Sequence, residues 1–279
     1  MKDYCIWHVS PPGYVHTQAF NELVISLSSA FRVLGIDAPI VYNFDTMTNY
    51  PIIVGCNLIS ADDFCRLPKT AIIYNLEQIT IGSPSCITDS YLDLLRAHEV
   101  WDYSRQNMRE LAKLGITNVK YCAIGYMPEL TRIEPAQCDI DFLWYGSLNE
   151  RRAVILKRLH EMGYSVEALF GVYGASRDAF IARSKIVLNI HFYESKVIEI
   201  GRIYYLLANR RFVISEKGND RELEDHIRDG LVLTDYENMV EACVRYLKED
   251  KLRQGIAEKG FSIISSFSQP QFLRNVLNC

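Results

Sequence analysis

Residues 186–216, IVLNIHFYESKVIEIGRIYYLLANRRFVISE, constrain the fold more than any other stretch of the chain. IVLNI is a short apolar run rich in Val and Ile, the pattern of a parallel strand covered on both faces. FYES makes a turn. Val197, Ile198, Ile200, Ile203, Leu206 and Leu207 then follow at the spacing of a helix packed on a sheet, and RFVIS reads as the next strand. Strand, turn, helix and strand in this order imply a right-handed crossover and a parallel sheet. With the helix opening at the turn, the N–H groups of Ser195, Lys196 and Val197 lie at its positive end, a setting that suits a diphosphate. Glu199 is then one turn in, within reach of ribose hydroxyls.

The same alternation runs through both halves. CIWHV, PIVYNF, YPIIVGC and TAIIYNL read as strands of the first half, with an amphipathic helix from Ala19 to Gly35, and VWD and NVKYCAIG follow as further strands around the helix RQNMRELAKLG. The second half opens with IDFLWYG and the helix NERRAVILKRLHEMG, then SVEALFG, the helix SRDAFIARS and the stretch described above; everything from Asp220 onward reads as helical. The segment MPELTRIEPAQCDID, with two prolines and mixed charge, is the linker. The chain of 279 residues therefore reads as an α/β protein of two Rossmann-like domains with mainly parallel sheets facing across a cleft: residues 1–133, residues 134–267, and a final helix, 268–279, that crosses back to the first domain.

Composition excludes several classes. A net charge of −4 gives no electrostatic reason to expect nucleic acid, and no run approaches the roughly 18 apolar residues of a membrane span. The opening MKDYCIWHVSPPG reads as a first strand rather than a signal peptide. The cysteines at positions 5, 56, 65, 86, 122, 138, 243 and 279 form no C-x-x-C pair, so reduced, mostly buried thiols in a cytoplasmic protein are expected.

Open parallel sheets bind ligands at the carboxyl ends of their strands. In the second half those ends carry Tyr145, Gly146 and Ser147, with Arg151 and Arg152 opening the next helix; Tyr173 within the glycine-flanked LFGVYG; His191, Glu194, Ser195, Lys196, Val197 and Glu199 around the HFYESK turn; and Ser215, Glu216 and Lys217. Gly146 allows close approach to backbone, the arginines suit phosphate, and Tyr173 offers a ring to a base. Each has a plainer reading: Glu199 as a surface acid in a salt link, the arginines as solvated charges, His191 as a core histidine. The nearest Asp-x-Asp, Asp139 to Asp141, falls at the wrong end of its strand for a metal site.

The stretches DIDFLWYGSLNERRAVILKRLHEMGY, ARSKIVLNIHFYESKVIEIGRIYYLLANRRFVISE and DGLVLTDYENMVEACVRYLKEDKLRQGIAEKG resemble the carboxyl-terminal domain of GT-B-fold glycosyltransferases of the group 1, CgeB-like type. The resemblance covers residues 139–267, and SPPGYVHTQAFNELVISLSSAFRVLG is similar to the family's opening loop and first helix. It implies metal-independent transfer from a nucleotide-diphosphate sugar, with the donor as substrate and no further cofactor. Implied partners are a glycan, lipid-linked or other small acceptor, with peripheral membrane contact at the cytoplasmic face compatible with such acceptors. The family's retaining members carry two glutamates eight positions apart; Glu199 matches the second, on the ribose, while His191 stands where the first is expected. Inversion and retention therefore stay open. An inverting enzyme needs a general base in the first domain, and His16, Glu77 and Asp102 are the candidates, Glu77 and His16 ahead of Asp102. Two alternatives remain: a nucleotide-sugar epimerase of the same fold, and a non-catalytic module that binds a nucleotide sugar or a protein.

Overall fold

A computed structural model describes residues 2–79, 87–192 and 198–277. The chain divides into two compact units, Leu130–Phe267 and the remainder, Met1–Glu129 with Ser268–Cys279. The first boundary falls a few residues before the position expected within the linker.

The first unit alternates β1 (Tyr4–His8), α1 (Asn21–Val33), β2 (Ile40–Val41), β3 (Tyr50–Val54), α2 (Ala61–Arg66), β4 (Ile72–Asn75), α3 (Asp89–Ala97), β5 (Glu99–Asp102), α4 (Arg105–Lys113) and β6 (Val119–Tyr121). Its strands form one sheet in the order β2-β1-β3-β4-β5-β6, every pairing parallel. All five residues of β1 are buried, as are Ile72–Asn75 of β4, which explains their unbroken apolar sequence. Trp101 on β5 is fully buried, and each side chain of that size contributes about 2–3 kcal/mol by leaving water. Side-chain caps start the helices: Thr88 accepts from the Tyr91 amide ahead of α3, and Ser104 from the Asn107 amide ahead of α4.

The second unit runs β7 (Ile140–Tyr145), α5 (Glu150–Glu161), β8 (Val166–Leu169), α6 (Gly174–Arg183), β9 (Ser184–Asn189), α7 (Ile200–Ala208), β10 (Val213–Glu216), α8 (Arg221–Ile227), β11 (Val232–Thr234), α9 (Met239–Leu247) and α10 (Asp250–Ser265). Its sheet has the order β11-β10-β9-β7-β8, again parallel throughout. Phe142, Trp144, Ile186, Leu188 and Ile214 from the sheet pack with Ile155, Leu159, Met239 and Cys243 from the helices in one core. Two expectations are corrected. The region after Asp220 is not wholly helical: it contains β11, an edge strand of two half-buried residues and a buried threonine, too short to show a periodicity of its own. And α7 begins at Ile200, so Glu199 directly precedes the helix instead of lying one turn inside it.

A final helix, α11 (Gln269–Leu277), belongs to the first unit. The buried Gln269 side chain accepts from the Gly125 amide at 2.6 Å and donates to the Ala123 carbonyl at 3.2 Å, and Lys120 donates to the Val276 carbonyl at 3.1 Å. Among the described residues no helix is long and apolar enough to cross a membrane.

Strand order reverses direction between β1 and β3 in one sheet and between β7 and β9 in the other. At such switch points successive connections leave on opposite faces, opening a crevice at the carboxyl ends of the two strands.

Candidate functional site

The switch point of the second unit carries a ring of charged side chains. Asn149 caps α5 by accepting from the Arg152 amide at 3.0 Å and donates from Nδ2 to the Phe192 carbonyl at 3.0 Å, which ties the start of α5 to the loop after β9. Arg152 then spans the switch point. Its Nη1 donates to the Ser147 carbonyl at 2.7 Å, its Nε to the Ile190 carbonyl at 2.8 Å and its Nη2 to Glu199 Oε1 at 3.1 Å, while its guanidinium lies 4.4 Å from the centre of the Trp144 ring. Burial lowers its pKa to about 10 against the opposing pull of Glu199, so it stays charged at neutral pH. Arg151 is equally committed. It meets both oxygens of the buried Glu216, with Nη1 at 2.6 Å from Oε2, and stacks 3.9 Å over Tyr236. The protein acceptors of the two arginines are thus Ser147, Ile190 and Glu199 for Arg152 and His191 and Glu216 for Arg151.

Glu199 is the centre of this ring. Its Oε2 accepts from Asn189 Nδ2 at 2.9 Å, and Asn189, at the end of β9, also donates to Ser215 at 3.0 Å and accepts from Arg202 Nη1 at 3.1 Å. Burial is the largest influence on the Glu199 carboxyl and pushes its pKa up, but the neighbouring His191, Arg202 and Arg152 outweigh it and hold the group down at about 2. His191 Nδ1 stands 3.2 Å from Oε2 yet off the direction of a hydrogen bond, so both nitrogens of this buried ring lack a hydrogen-bond partner among the described residues.

Arg202, on the first turn of α7, is the site residue that sequence reasoning missed. Its guanidinium lies 4.8 Å from the Trp144 ring and 4.9 Å from the Tyr145 ring, and its buried Nε has no hydrogen-bond partner among the described residues. Gly146, with φ of +131°, is required beneath it: a Cβ there would sit 2.8 Å from Arg202 Nη2. The available signal was position, since Arg202 is the lone cation in the otherwise apolar IGRIYYLLA and lies three residues, one turn, after Glu199. Tyr173 directly precedes α6 and is half-buried. Glu194, Ser195, Lys196 and Val197 lie outside the described residues.

Asp139 and Asp141 flank the start of β7, at its amino end, and are neutralised there by Arg183 and by Lys185 at 2.7 Å. Among the described residues no cluster of three or more metal-ligating side chains forms.

In the first unit the three candidate bases occupy different settings. Asp102 ends β5 fully buried; its Oδ1 accepts from the Ser104 amide at 2.8 Å and Asn107 Nδ2 at 3.2 Å, its Oδ2 from Asn75 Nδ2 at 2.6 Å. A carboxylate closed in this way cannot meet an acceptor, which corrects its candidacy. Glu77, in the loop after β4, is half-buried and burial raises its carboxyl pKa. His16 lies in the turn Val15–Phe20 after β1, its ring edge-on to Tyr14 at 5.2 Å. β3 separates the strands from which these two loops leave. The switch point of this unit holds a histidine that the sequence reading did not select: His8 ends β1, donates from Nε2 to the Thr17 carbonyl at 2.9 Å and is kept neutral by burial, which lowers its pKa.

No family model matches the chain. In sequence it is similar to an uncharacterised protein, L137, of Acanthamoeba polyphaga mimivirus, 26% identical over 243 residues that make up 83% of this chain and 32% of L137. The chain thus spans about a third of that relative's length. In structure it is similar to Anabaena HepE in complex with UDP and glucose, with a TM-score of 0.63 at 12% identity over 100% of this chain and 99% of HepE. It is also similar to WaaG, a glycosyltransferase involved in lipopolysaccharide biosynthesis, with a TM-score of 0.61 at 10% identity over 99% of each chain. At these identities the likeness is one of fold: two α/β units with parallel sheets, the GT-B arrangement that the sequence resemblance implied.

Proposed function

We propose that the chain transfers a glycosyl group from a nucleoside-diphosphate sugar to an acceptor hydroxyl, binding the donor at the switch point of the second unit. The observation that carries this reading is the pair at the start of α7: Glu199, held ionised, beside Arg202, whose Nε has no partner among the described residues and whose guanidinium lies over a glycine that leaves room for it. A carboxylate has about four lone-pair sites and the hydrogen bonds from Arg152 and Asn189 take one on each oxygen of Glu199, which leaves acceptor capacity for ribose hydroxyls. Arg202 has the charge and the donor for the diphosphate. As the bond to the anomeric carbon breaks, negative charge grows on the departing nucleoside diphosphate, and a fixed guanidinium in a partly dry site stabilises that charge more than the ground state. HepE, of the same fold, is known in complex with UDP and glucose, which supports a donor of this class.

The reaction needs no metal in this reading, because cationic side chains take that role and the one Asp-x-Asp is spent on Arg183 and Lys185. Glu77 is the base for the acceptor hydroxyl. Its raised pKa makes it a better proton acceptor than an ordinary glutamate, whereas Asp102 is closed off. The acceptor is a glycan, a lipid-linked glycan precursor or another small hydroxyl compound.

A thermal-shift series with UDP, GDP, dTDP and UDP-glucose, each with and without EDTA, tests the donor site. Ligand at a hundredfold excess over its Kd stabilises the folded state by about 2.7 kcal/mol. The expected result is a base-selective rise in Tm that survives EDTA and is lost in Arg202→Ala and Glu199→Gln. No rise with any nucleotide would sink the donor site; a rise unchanged in both variants would remove these two residues from it.

A further inference from the structure

The polar cluster at the ends of β4 and β5 is more elaborate than a buried carboxylate needs. Asn75 and Asn107 each use the side-chain amide as a two-headed clamp on the loop after β4. Asn75 Oδ1 accepts from the Glu77 amide at 3.1 Å and Asn75 Nδ2 donates to the Glu77 carbonyl at 3.2 Å. Asn107 Oδ1 accepts from the Ile79 amide at 3.0 Å and Asn107 Nδ2 donates to the Glu77 carbonyl at 3.0 Å. The backbone from Glu77 to Ile79 is therefore held at both peptide groups by side chains that come from two other elements, β4 and α4.

An asparagine amide works this way only in one of its two orientations, and those orientations need a reason. Asp102 supplies it. Each of its oxygens faces one Nδ2, Oδ2 that of Asn75 at 2.6 Å and Oδ1 that of Asn107 at 3.2 Å. Acting as an acceptor on both oxygens, it draws both NH2 groups toward itself and so turns both Oδ1 atoms toward the loop. Tyr91 fixes Asn75 a second time, donating from its hydroxyl to Oδ1 at 2.6 Å, and Cys56 Sγ meets the same hydroxyl at 3.3 Å. Burial pushes the Cys56 thiol up to about 12 and Tyr91 well above its ordinary value, so neither carries charge near Glu77 at neutral pH.

We propose that Asp102, Asn75 and Asn107 are positioning residues for Glu77: the carboxylate orients two amides, and the amides fix the backbone that sets where the Glu77 carboxyl stands and how much water reaches it. The assignment rests on Glu77 as the base of the proposed reaction. It also joins two neighbouring strand ends of the first sheet in one network, through Asn75 and Glu77 after β4 and through Asp102 and Ser104 after β5. A buried network with every member satisfied is rigid and specifies one arrangement.

Carbon-13 NMR of the Glu77 carboxyl, titrated in the wild type, Asp102→Asn and Asn107→Ala, tests the proposal on the intact chain. Asparagine at 102 presents a donor to one of the two Nδ2 groups, which turns that amide and releases its grip. The expected result is a wild-type midpoint above that of an ordinary glutamate, falling back toward it in both variants while melting curves show them folded. An unchanged midpoint in the folded variants overturns the proposal. Should neither variant fold, amide hydrogen exchange of the wild type decides: the Glu77 and Ile79 amides must exchange at least about tenfold more slowly than unbonded loop amides, and free exchange there overturns the clamp. Failure of the base is read separately. Full glycosyl transfer by Glu77→Gln would remove the catalytic role, whatever the titration shows.

Discussion

The two strand-end clusters, one in each unit, both lie at the carboxyl ends of parallel strands and are built from different chemistry. The second unit places its cluster at the β7/β9 switch point and fills it with charge: Arg151, Arg152 and Arg202 interleaved with Glu199 and Glu216. The first unit places its cluster at β4/β5, away from its own β1/β3 switch point, and builds it from two amides, a tyrosine and one enclosed carboxylate, with Glu77 at the edge. The ion-paired ring lowers the pKa of its central acid, the near-neutral network leaves its acid to be raised by burial, and the two units thereby hold carboxyl groups suited to opposite tasks. An acid pinned ionised serves recognition. An acid with a raised pKa serves proton transfer.

If the difference is real, it has an energetic signature. Arg152→Met leaves the Glu199 carboxylate and the Ser147 and Ile190 carbonyls short of their charged donor, and breaking a buried pair from one side costs about 3–5 kcal/mol. Asn107→Ala removes neutral donors and acceptors and costs about 1–3 kcal/mol. Urea unfolding of both variants measures this, and equal losses would break the contrast between a charged and an amide cluster.

A smaller effect is expected at Gly146. Alanine there combines a strained φ of +131° with a Cβ at 2.8 Å from Arg202 Nη2, a cost of about 1–3 kcal/mol, and shifts the guanidinium. Nucleotide-dependent stabilisation should fall with it. Retention of the full thermal shift would place Arg202 outside the donor contact.

The effects of pH on the two acids have opposite signs. Glu199 has a folded pKa of about 2 against an ordinary 4.5, so it contributes stability that is complete above pH 4.5 and is lost as pH falls toward 2. Glu77 has a folded pKa above 4.5; its ionised form is disfavoured by burial, and that cost, present at neutral pH, disappears as pH falls through its folded value. Glu77→Gln should therefore raise Tm at pH 7, and Glu199→Gln should lower it. Melting curves of both variants between pH 3 and 7 check this, and the same sign for both would show that burial, not neighbouring charge, governs the two sites alike.

Most strands were legible because buried parallel strands write themselves as unbroken apolar runs, as YCIWH and IIYN do. β11 was not, because three residues at a sheet edge are too few to carry a periodicity. Glu199 was legible from its place after a buried strand, and Gly146 from its place at a strand end. The ion pairs of Arg151 with Glu216 and of Arg152 with Glu199 were not, since two adjacent arginines in a first turn look the same in sequence whichever acids they meet. Asp102 shows the same limit from the other side: a carboxylate at a strand end reads as a candidate base until Ser104, Asn75 and Asn107 are seen to enclose it.

Strand-helix alternation, the two-unit organisation and the positions at which strand ends place polar residues are all written contiguously in the chain, because local periodicity and burial pattern act over a few residues. Which of those polar residues meet each other is settled by folding alone. Asn75 and Asp102 lie 27 residues apart and meet through the register of β4 with β5, and Arg151 and Glu216 lie 65 residues apart and meet only where the start of α5 reaches the end of β10.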